Sequence, residues 1–155
     1  MSYTVTLGLT EATALSTAAL TANCADAENA RALTDIMIRA ERDRCGSHGL
    51  FRLPGYCASL KSGKVKGTAR PIASEIAPGA VRVTGDGGFA PLALEVGLPV
   101  LAKKAKSQGI AGMGLVDIYH FAALWPEVET LAEQGLCAFA FTQASPMVAP
   151  AGGIK

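Results

Sequence analysis

Apolar residues recur at helical spacing early in the chain. After Asp26, four apolar residues are spaced three or four positions apart, and charged side chains occupy the other face. This periodicity predicts an amphipathic helix, which Asp26 can cap. The Ala-, Leu- and Thr-rich residues 11–22 predict a helix before it, with Thr10 as its cap. The four apolar positions are Ala30, Leu33, Met37 and Ala40.

Short apolar runs in the chain predict strands, and longer mixed runs predict further helices. The predicted strands are residues 5–9, 80–84, 110–116 and 136–142. The predicted helices are residues 92–107 and 126–134, which end at Gly109 and Gly135. The Gly-Asp-Gly-Gly sequence of residues 85–88 predicts a turn. The last predicted strand would present an apolar edge unless further polypeptide covers it.

Composition places the chain among folded proteins. Half of its 155 residues are hydrophobic and 17% are charged, which is the opposite of a disordered composition. The net charge of +1 gives no general attraction to nucleic acid or acidic membranes. No apolar stretch is long enough for a membrane span, and no basic residue precedes the Ala-rich residues 14–22, so no secretory signal is recognised and a cytoplasmic location is expected.

The basic residues and the cysteines, which often mark binding sites, do not indicate one in this sequence. Eight of the fourteen Lys and Arg residues fall in residues 39–70, but Glu41 and Asp43 interrupt them, which favours a solvated surface over a nucleic-acid interface. The four cysteines have no Cys-x-x-Cys spacing, and no histidine lies at zinc-finger distance. Free thiols and no metal site are therefore predicted.

The first candidate for chemistry is His48, which follows Ser47. If residues 48–52 are helical, His48 and Arg52 lie on one face, because residues four apart are neighbours. Histidine exchanges a proton near neutral pH, and arginine offers a two-pronged hydrogen bond to a carboxylate. The alternative interpretation is that Ser47 only caps a helix and that Arg52 is solvated.

The second candidate is His120, between a predicted strand and a predicted helix, where ligand-binding loops are common. Ala122 and Ala123 follow it, and such small residues would let a flat ring or a backbone approach closely. The alternative interpretation is an aromatic corner of the hydrophobic core.

Three blocks of the sequence carry a resemblance to a known family. Residues 43–56, Asp-Arg-Cys-Gly-Ser-His-Gly-Leu-Phe-Arg-Leu-Pro-Gly-Tyr, with Leu-Lys-Ser-Gly at 60–63, resemble the signature of the type 2 malate/L-lactate dehydrogenases. Residues 120–129, His-Phe-Ala-Ala-Leu-Trp-Pro-Glu-Val-Glu, resemble the Δ1-piperideine-2-carboxylate/Δ1-pyrroline-2-carboxylate reductases in particular. Residues 146–153 resemble the family loop that precedes a Gly-Thr-Asn-Pro motif.

The resemblance implies a fold and a set of roles. The fold is a mixed α/β (α+β) NAD(P)H-binding fold of non-Rossmann type, with a largely antiparallel sheet wrapped by helices. Residues 1–75 would form a helical domain, and residues 76–155 the first part of the cofactor-binding sheet domain. Ser47 and His48 would form a catalytic relay in which the histidine donates the proton, and Arg52 would bind the substrate carboxylate. The implied cofactor-contacting residues are His120, Phe121, Ala122, Ala123 and Leu124.

The implied reaction is the NADPH-dependent reduction of cyclic imino acids, with NADH as an alternative cofactor. Δ1-Piperideine-2-carboxylate would give L-pipecolate, and Δ1-pyrroline-2-carboxylate would give L-proline. Two other functions stay open: an NAD(P)-dependent 2-hydroxy-acid dehydrogenase of the same family, and a non-catalytic chain that only associates with a partner.

The sequence departs from the family pattern in two ways. Asp117 and Ile118 stand where members usually have an Asn-Ser pair. Members also continue past the third block with the Gly-Thr-Asn-Pro motif, an aspartate that completes the relay and further cofactor contacts. The chain is therefore expected to be an incomplete portion of the fold. A C-terminal half, on a separate chain or in missing sequence, would complete it, and the assembled enzyme is expected to be a homodimer.

Overall fold

A computed structural model describes residues 5–143 of the chain, in which helices and strands are mixed. The helices are α1 (Leu9–Ala22), α2 (Ala27–Arg42), a short 3-10 helix (Leu50–Arg52), α3 (Leu53–Lys61), α4 (Ala90–Gln108) and α5 (Pro126–Ala132). The strands are β1 (Ile72–Ala77), β2 (Ala80–Phe89) and β3 (Gly112–His120). This order of elements agrees with the mixed α/β class.

The three strands form one sheet in the order β1-β2-β3. The β1 and β2 strands form an antiparallel hairpin, whereas β2 and β3 run parallel and are joined through α4. The resemblance implies a largely antiparallel sheet. Within residues 5–143, one of the two strand pairings is antiparallel and the other is parallel. Helix α4 covers one face of the sheet, where Val81 and Val83 pack with Ala93 in a buried cluster. The other face holds several exposed residues, such as Ile76 and Val116.

The predicted turn at residues 85–88 is wrong, because these residues lie inside β2. Asp86 and Asp117 have φ angles of 55° on the paired strands β2 and β3, so the left-handed backbone produces an irregularity in the ladder rather than a chain reversal. After it the pairing resumes, and Phe89 lies opposite His120. The irregularity therefore determines which residue of β2 lies opposite His120 at the carboxyl end of β3.

Helices α1, α2 and α3 build the main core. Asp26 caps α2 as predicted, since its Oδ1 accepts a hydrogen bond of 3.0 Å from the Asn29 N–H. The predicted apolar face of α2 is buried, which confirms the prediction of an amphipathic helix. Its members are Ala30, Leu33, Met37 and Ala40. Tyr56 and Leu60 of α3 join the same core.

The N-terminal strand prediction is wrong where the structure describes it. Residues 5–8 form no strand, and α1 begins at Leu9 with Gly8 as its N-cap instead of Thr10. The Gly8 N–H donates a hydrogen bond of 2.8 Å to the Glu11 carboxylate. A carboxylate three residues into the helix thus satisfies a free backbone donor, and this fixes an earlier helix start.

The strand predicted at residues 136–142 is also absent from the described structure. No strand of residues 5–143 pairs with this segment, and Phe139 and Phe141 are 86% and 88% exposed. The block at residues 146–153 lies outside the described residues. No helix between residues 5 and 143 is both long and apolar enough to cross a membrane. The four cysteines are free thiols, as predicted.

Candidate active site

The segment that follows α2 is fixed to that helix by its backbone. The Cys45 N–H donates to the Ala40 carbonyl at 2.7 Å, and the His48 N–H donates to the Cys45 carbonyl at 2.9 Å. The Glu41 carboxylate accepts a hydrogen bond of 2.6 Å from the Leu50 N–H. A Cβ atom on Gly49 would collide with that carboxylate, so any other residue here would displace the Glu41 side chain. These contacts hold residues 45–50 as a defined turn.

The His48 imidazole is oriented by its Nδ1 atom. Ser47 Oγ lies 2.9 Å from Nδ1, and Cys45 Sγ lies 3.5 Å from the same atom. Neither contact involves Nε2, for which residues 5–143 provide no hydrogen-bond partner. Because Nδ1 is occupied and the side chain is only partly buried, Nε2 is the atom that can exchange a proton with a ligand.

Arg52 joins His48 by a different route from the one predicted. His48 lies in a turn, and Arg52 ends the 3-10 helix, so residues 48–52 do not form the single helix on which a shared helical face depended. Arg52 Nε instead donates a hydrogen bond of 2.8 Å to the Ser47 carbonyl. Its two Nη atoms have no hydrogen-bond partner among the described residues. The guanidinium is therefore anchored at one edge and keeps its other donors for a ligand.

The second candidate segment begins at the carboxyl end of β3. His120 Nδ1 accepts a hydrogen bond of 3.0 Å from the Ala122 N–H, and the ring of Phe121 stacks on the imidazole at 5.1 Å. Ala122 has a φ of 70°, and the side chains of Ala122 and Ala123 are buried. Their methyl groups thus pack inward, while His120, Phe121 and Leu124 keep part of their surface accessible.

The two segments, about seventy residues apart in sequence, meet in the fold. Trp125 Nε1 donates a hydrogen bond of 3.2 Å to Asp43, and its ring meets that of His48 in a T-shaped arrangement at a centroid distance of 6.0 Å. Tyr56 lies beneath this region and contacts His120 with its ring at 5.7 Å. No role is predicted from sequence for Trp125 or Cys45, although both lie in the blocks that resemble the family.

The charges around the site favour neutral imidazoles. Burial and then the positive charge of Arg52 lower the pKa of His48. Burial, Arg52 and His48, in that order, lower the pKa of His120. Burial raises the pKa of Tyr56 to about 12, against a smaller opposite effect of Arg52. Arg52 thus brings a positive charge to all three rings, and a bound anion would offset it.

Comparison with known proteins gives one family for almost the whole chain. The model of the malate/L-lactate dehydrogenase family matches residues 7–155. A Δ1-pyrroline-2-carboxylate/Δ1-piperideine-2-carboxylate reductase of Pseudomonas aeruginosa is 51% identical over 125 residues, which are 81% of this chain and 37% of the relative. A Δ1-pyrroline-2-carboxylate reductase of Ancylobacter novellus is 45% identical over 153 residues, which are 99% of this chain and 45% of the relative.

One solved structure is similar to this chain in fold as well as in sequence. The crystal structure of Δ1-piperideine-2-carboxylate reductase from Pseudomonas syringae pv. tomato superimposes with a TM-score of 0.80 at 39% identity. The superposition covers 85% of this chain and 40% of that protein. The chain therefore spans less than half the length of each of these three relatives.

Proposed function

The chain belongs to the malate/L-lactate dehydrogenase family, and from that membership we propose that it supplies the proton-donor and carboxylate-binding side of an NADPH-dependent cyclic imino acid reductase. The substrates would be Δ1-pyrroline-2-carboxylate and Δ1-piperideine-2-carboxylate, reduced to L-proline and L-pipecolate. The observation that carries the proposal is the meeting of Ser47, His48 and Arg52 with residues 120–125, since each half of this arrangement comes from a different block.

Arg52 would bind the substrate carboxylate. Its Nε is held by the Ser47 carbonyl, and its free Nη atoms have the planar geometry that matches a carboxylate. The same carbonyl belongs to the residue whose hydroxyl contacts His48. A carboxylate bound at Arg52 would therefore place the neighbouring C=N bond beside the imidazole, and such positioning contributes strongly to the rate.

His48 would handle the proton of the ring nitrogen. Ser47 Oγ fixes the ring through Nδ1, which leaves Nε2 for the substrate. Burial and then the positive charge of Arg52 lower the pKa of His48, and a carboxylate that neutralises the guanidinium would remove the second of these two effects. Substrate binding would thus favour the protonated imidazole at the moment when a proton is required. General acid catalysis of this kind contributes about 10²–10⁴-fold.

The nicotinamide cofactor would rest in part on residues 120–124. When bound, it supplies the hydride that reduces the C=N carbon. The accessible rings of His120 and Phe121, stacked with an interplanar angle of 8°, suit contact with a flat ring, and Leu124 adds apolar surface. The buried methyl groups of Ala122 and Ala123 instead fix the backbone turn that presents them. The residues present therefore fit a contact with the cofactor.

The remaining part of the site would come from further polypeptide. The relatives named above are more than twice as long as the region that this chain matches. We propose that polypeptide corresponding to the rest of their length completes the cofactor site and the relay, and that the assembled enzyme is a homodimer. We therefore expect imine reduction by the assembly of this chain with that further polypeptide.

An assay of substrate choice tests this function. The assembled protein is incubated with NADPH or NADH and with Δ1-pyrroline-2-carboxylate, Δ1-piperideine-2-carboxylate or 2-oxo acids, and cofactor oxidation is followed by absorbance. We expect turnover of the two cyclic imines with NADPH, and its loss in the His48→Gln variant. Reduction of 2-oxo acids without imine reduction would instead establish the 2-hydroxy-acid dehydrogenase, and no turnover at all would leave the non-catalytic alternative.

A further inference from the structure

The thiol of Cys45 lies against the atom that orients His48. We propose that Cys45 is a positioning residue for this imidazole, so that alkylation of its thiol should disturb the orientation of His48 and lower its activity as a proton donor. The expected effect on catalysis rests on the proposed function. The contact between the thiol and the imidazole is observed in the structure and does not depend on that function.

Three side chains share the space around Nδ1. Ser47 Oγ lies 2.9 Å from His48 Nδ1, which is a normal hydrogen bond, and Cys45 Sγ lies 3.5 Å from the same nitrogen. The two partners are themselves only 3.8 Å apart. Because Nδ1 carries a single lone pair or a single N–H, it forms one strong hydrogen bond at a time. The thiol therefore packs beside the hydroxyl and restricts the ring from its second side.

The backbone holds the thiol in this position. Cys45 donates its N–H to the Ala40 carbonyl of α2 at 2.7 Å and accepts the His48 N–H at its own carbonyl. The preceding residue, Arg44, has a φ of 57°, a conformation that the turn imposes. Because the backbone is held, a group added to Sγ would lie close to Ser47 Oγ and the imidazole.

The other three thiols lack this environment and serve as internal controls. Cys24 and Cys137 are exposed, and neither has a described contact with an imidazole. Cys57 is half-buried against the core, and burial raises the pKa of its thiol. Since the thiolate is the reacting form, Cys57 should alkylate slowly, whereas Cys45 is partly accessible to the reagent.

The chemical step with iodoacetamide as the probe is a simple displacement. The Cys45 sulfur attacks the methylene carbon, a carbon–sulfur bond forms, and iodide leaves with the electron pair of the carbon–iodine bond. The thiol proton goes to solvent. The added carbamidomethyl group would place new atoms beside Ser47 Oγ and His48 Nδ1, which lie 3.8 Å and 3.5 Å from Sγ, so we expect it to disturb the hydrogen bond between them.

The test uses the two histidines of the full chain as reporters. In a Cys24→Ser, Cys57→Ala, Cys137→Ser background, alkylation of Cys45 is followed by mass spectrometry, and the nitrogen and carbon resonances of both imidazoles are followed by NMR. Comparison with His48→Gln assigns the two rings. We expect the titration midpoint and ring shifts of His48 to change on alkylation, while those of His120 change much less. A Cys45→Ser chain should show no change on treatment.

Activity of the assembled protein is the second measurement. Iodoacetamide should lower the kcat of the triple variant at least tenfold, and should leave the kcat of Cys45→Ser at the value it has before treatment. If the triple variant fails to fold, the wild-type chain with mapped alkylation gives the same comparison. Full alkylation of Cys45 with unchanged His48 resonances, or a Cys45 that does not react, overturns the inference. A changed His48 with unchanged imine reduction supports the contact and instead contradicts the proton-donor role.

Discussion

At the scale of single residues, His48 combines partial burial, an Nδ1 atom held by Ser47 and an Nε2 atom without a partner among the described residues, which is the arrangement that we propose for the proton donor. We expect His48→Gln in the assembled enzyme to lower kcat for a cyclic imine by about two to four orders of magnitude, because a positioned general acid is lost. The Kd for NADPH should change little, since the proposed cofactor contacts lie at residues 120–124. Near-normal kcat across the neutral pH range would make His48 a structural residue.

Arg52 is the residue whose charge reaches both histidines. Arg52→Ala should raise KM for the imino acid by roughly 10- to 100-fold, because a charged hydrogen bond contributes about 1.5–3 kcal/mol. It should also raise the pKa of His48, since the positive charge that lowers this pKa is removed. The pH profile of kcat/KM and an NMR titration of the imidazole report the two effects separately.

Arg52→Lys is the matched control for that prediction. It keeps a positive charge but not the planar set of donors, so it should leave the pKa of His48 closer to that of the wild type while KM remains raised. If both variants bind the imino acid as the wild type does, the carboxylate is held elsewhere.

Glu127 is a polar residue at which stability depends on pH. Its Oε2 atom is buried without a hydrogen-bond partner among the described residues, and burial raises the pKa of its carboxyl. The folded state thus prefers the protonated form, so the stability that it contributes is full at acidic pH and is lost as pH rises from the ordinary value of 4.5 through the raised one.

Replacement of this carboxylate should therefore stabilise the fold at neutral pH. We expect Glu127→Gln to raise the free energy of unfolding by about 1 kcal/mol near neutral pH, and to have little effect in acid. Denaturant unfolding of the chain at several pH values measures this, with the exposed Glu129→Gln as control. An equal effect at all pH values would contradict the assignment to ionisation.

At the scale of secondary-structure elements, α4 lies close to the sheet because it has a glycine at the contact. A Cβ atom on Gly97 would come within 2.5 Å of Met113 Sδ and 2.6 Å of a Val83 methyl group. Gly97→Ala should destabilise the fold by about 1–3 kcal/mol, because overpacking exceeds the better helix propensity of alanine. A Cβ atom on Gly55 of α3 meets nothing within 4 Å, so Gly55→Ala should be stabilising by about 0.4–1 kcal/mol.

The elements were predictable from sequence where one local signal decides them. The apolar spacing of α2 and its Asp26 cap predicted that helix, because both act within one helix. The Gly-Asp-Gly-Gly segment indicated a turn, since the same residues permit a turn or an irregular strand, and only pairing with β3 selects the strand. Pairing also decides residues 136–142, which have an apolar pattern but no partner strand in the described structure.

The candidate site was likewise predictable only in part. The resemblance named Ser47, His48 and Arg52, and the structure brings these three together. The contacts of Trp125 with His48 and of Cys45 with Nδ1 could not be predicted, because the first depends on the packing of two distant segments and the second on the backbone conformation of the turn that holds both residues.

At the scale of the whole molecule, the segment of residues 136–142 presents two large aromatic side chains to solvent. Phe139 and Phe141 are 86% and 88% exposed, and their rings stack at a centroid distance of 6.4 Å. Adjacent exposed aromatic side chains are typical of surfaces that bind other polypeptide. We expect the 155-residue chain by itself to self-associate, and further polypeptide of the assembly to cover this segment.

A double substitution tests whether this segment is responsible. Phe139→Ser with Phe141→Ser should lower self-association, measured by light scattering over a range of chain concentrations, because it removes the apolar surface. The free energy of unfolding should change by less than about 0.5 kcal/mol, since neither ring packs in the core. Phe51→Ser is the matched control, because Phe51 is 77% exposed but lies outside the segment. A wild-type chain that stays monomeric, or a double variant that associates as the wild type does, would contradict the prediction.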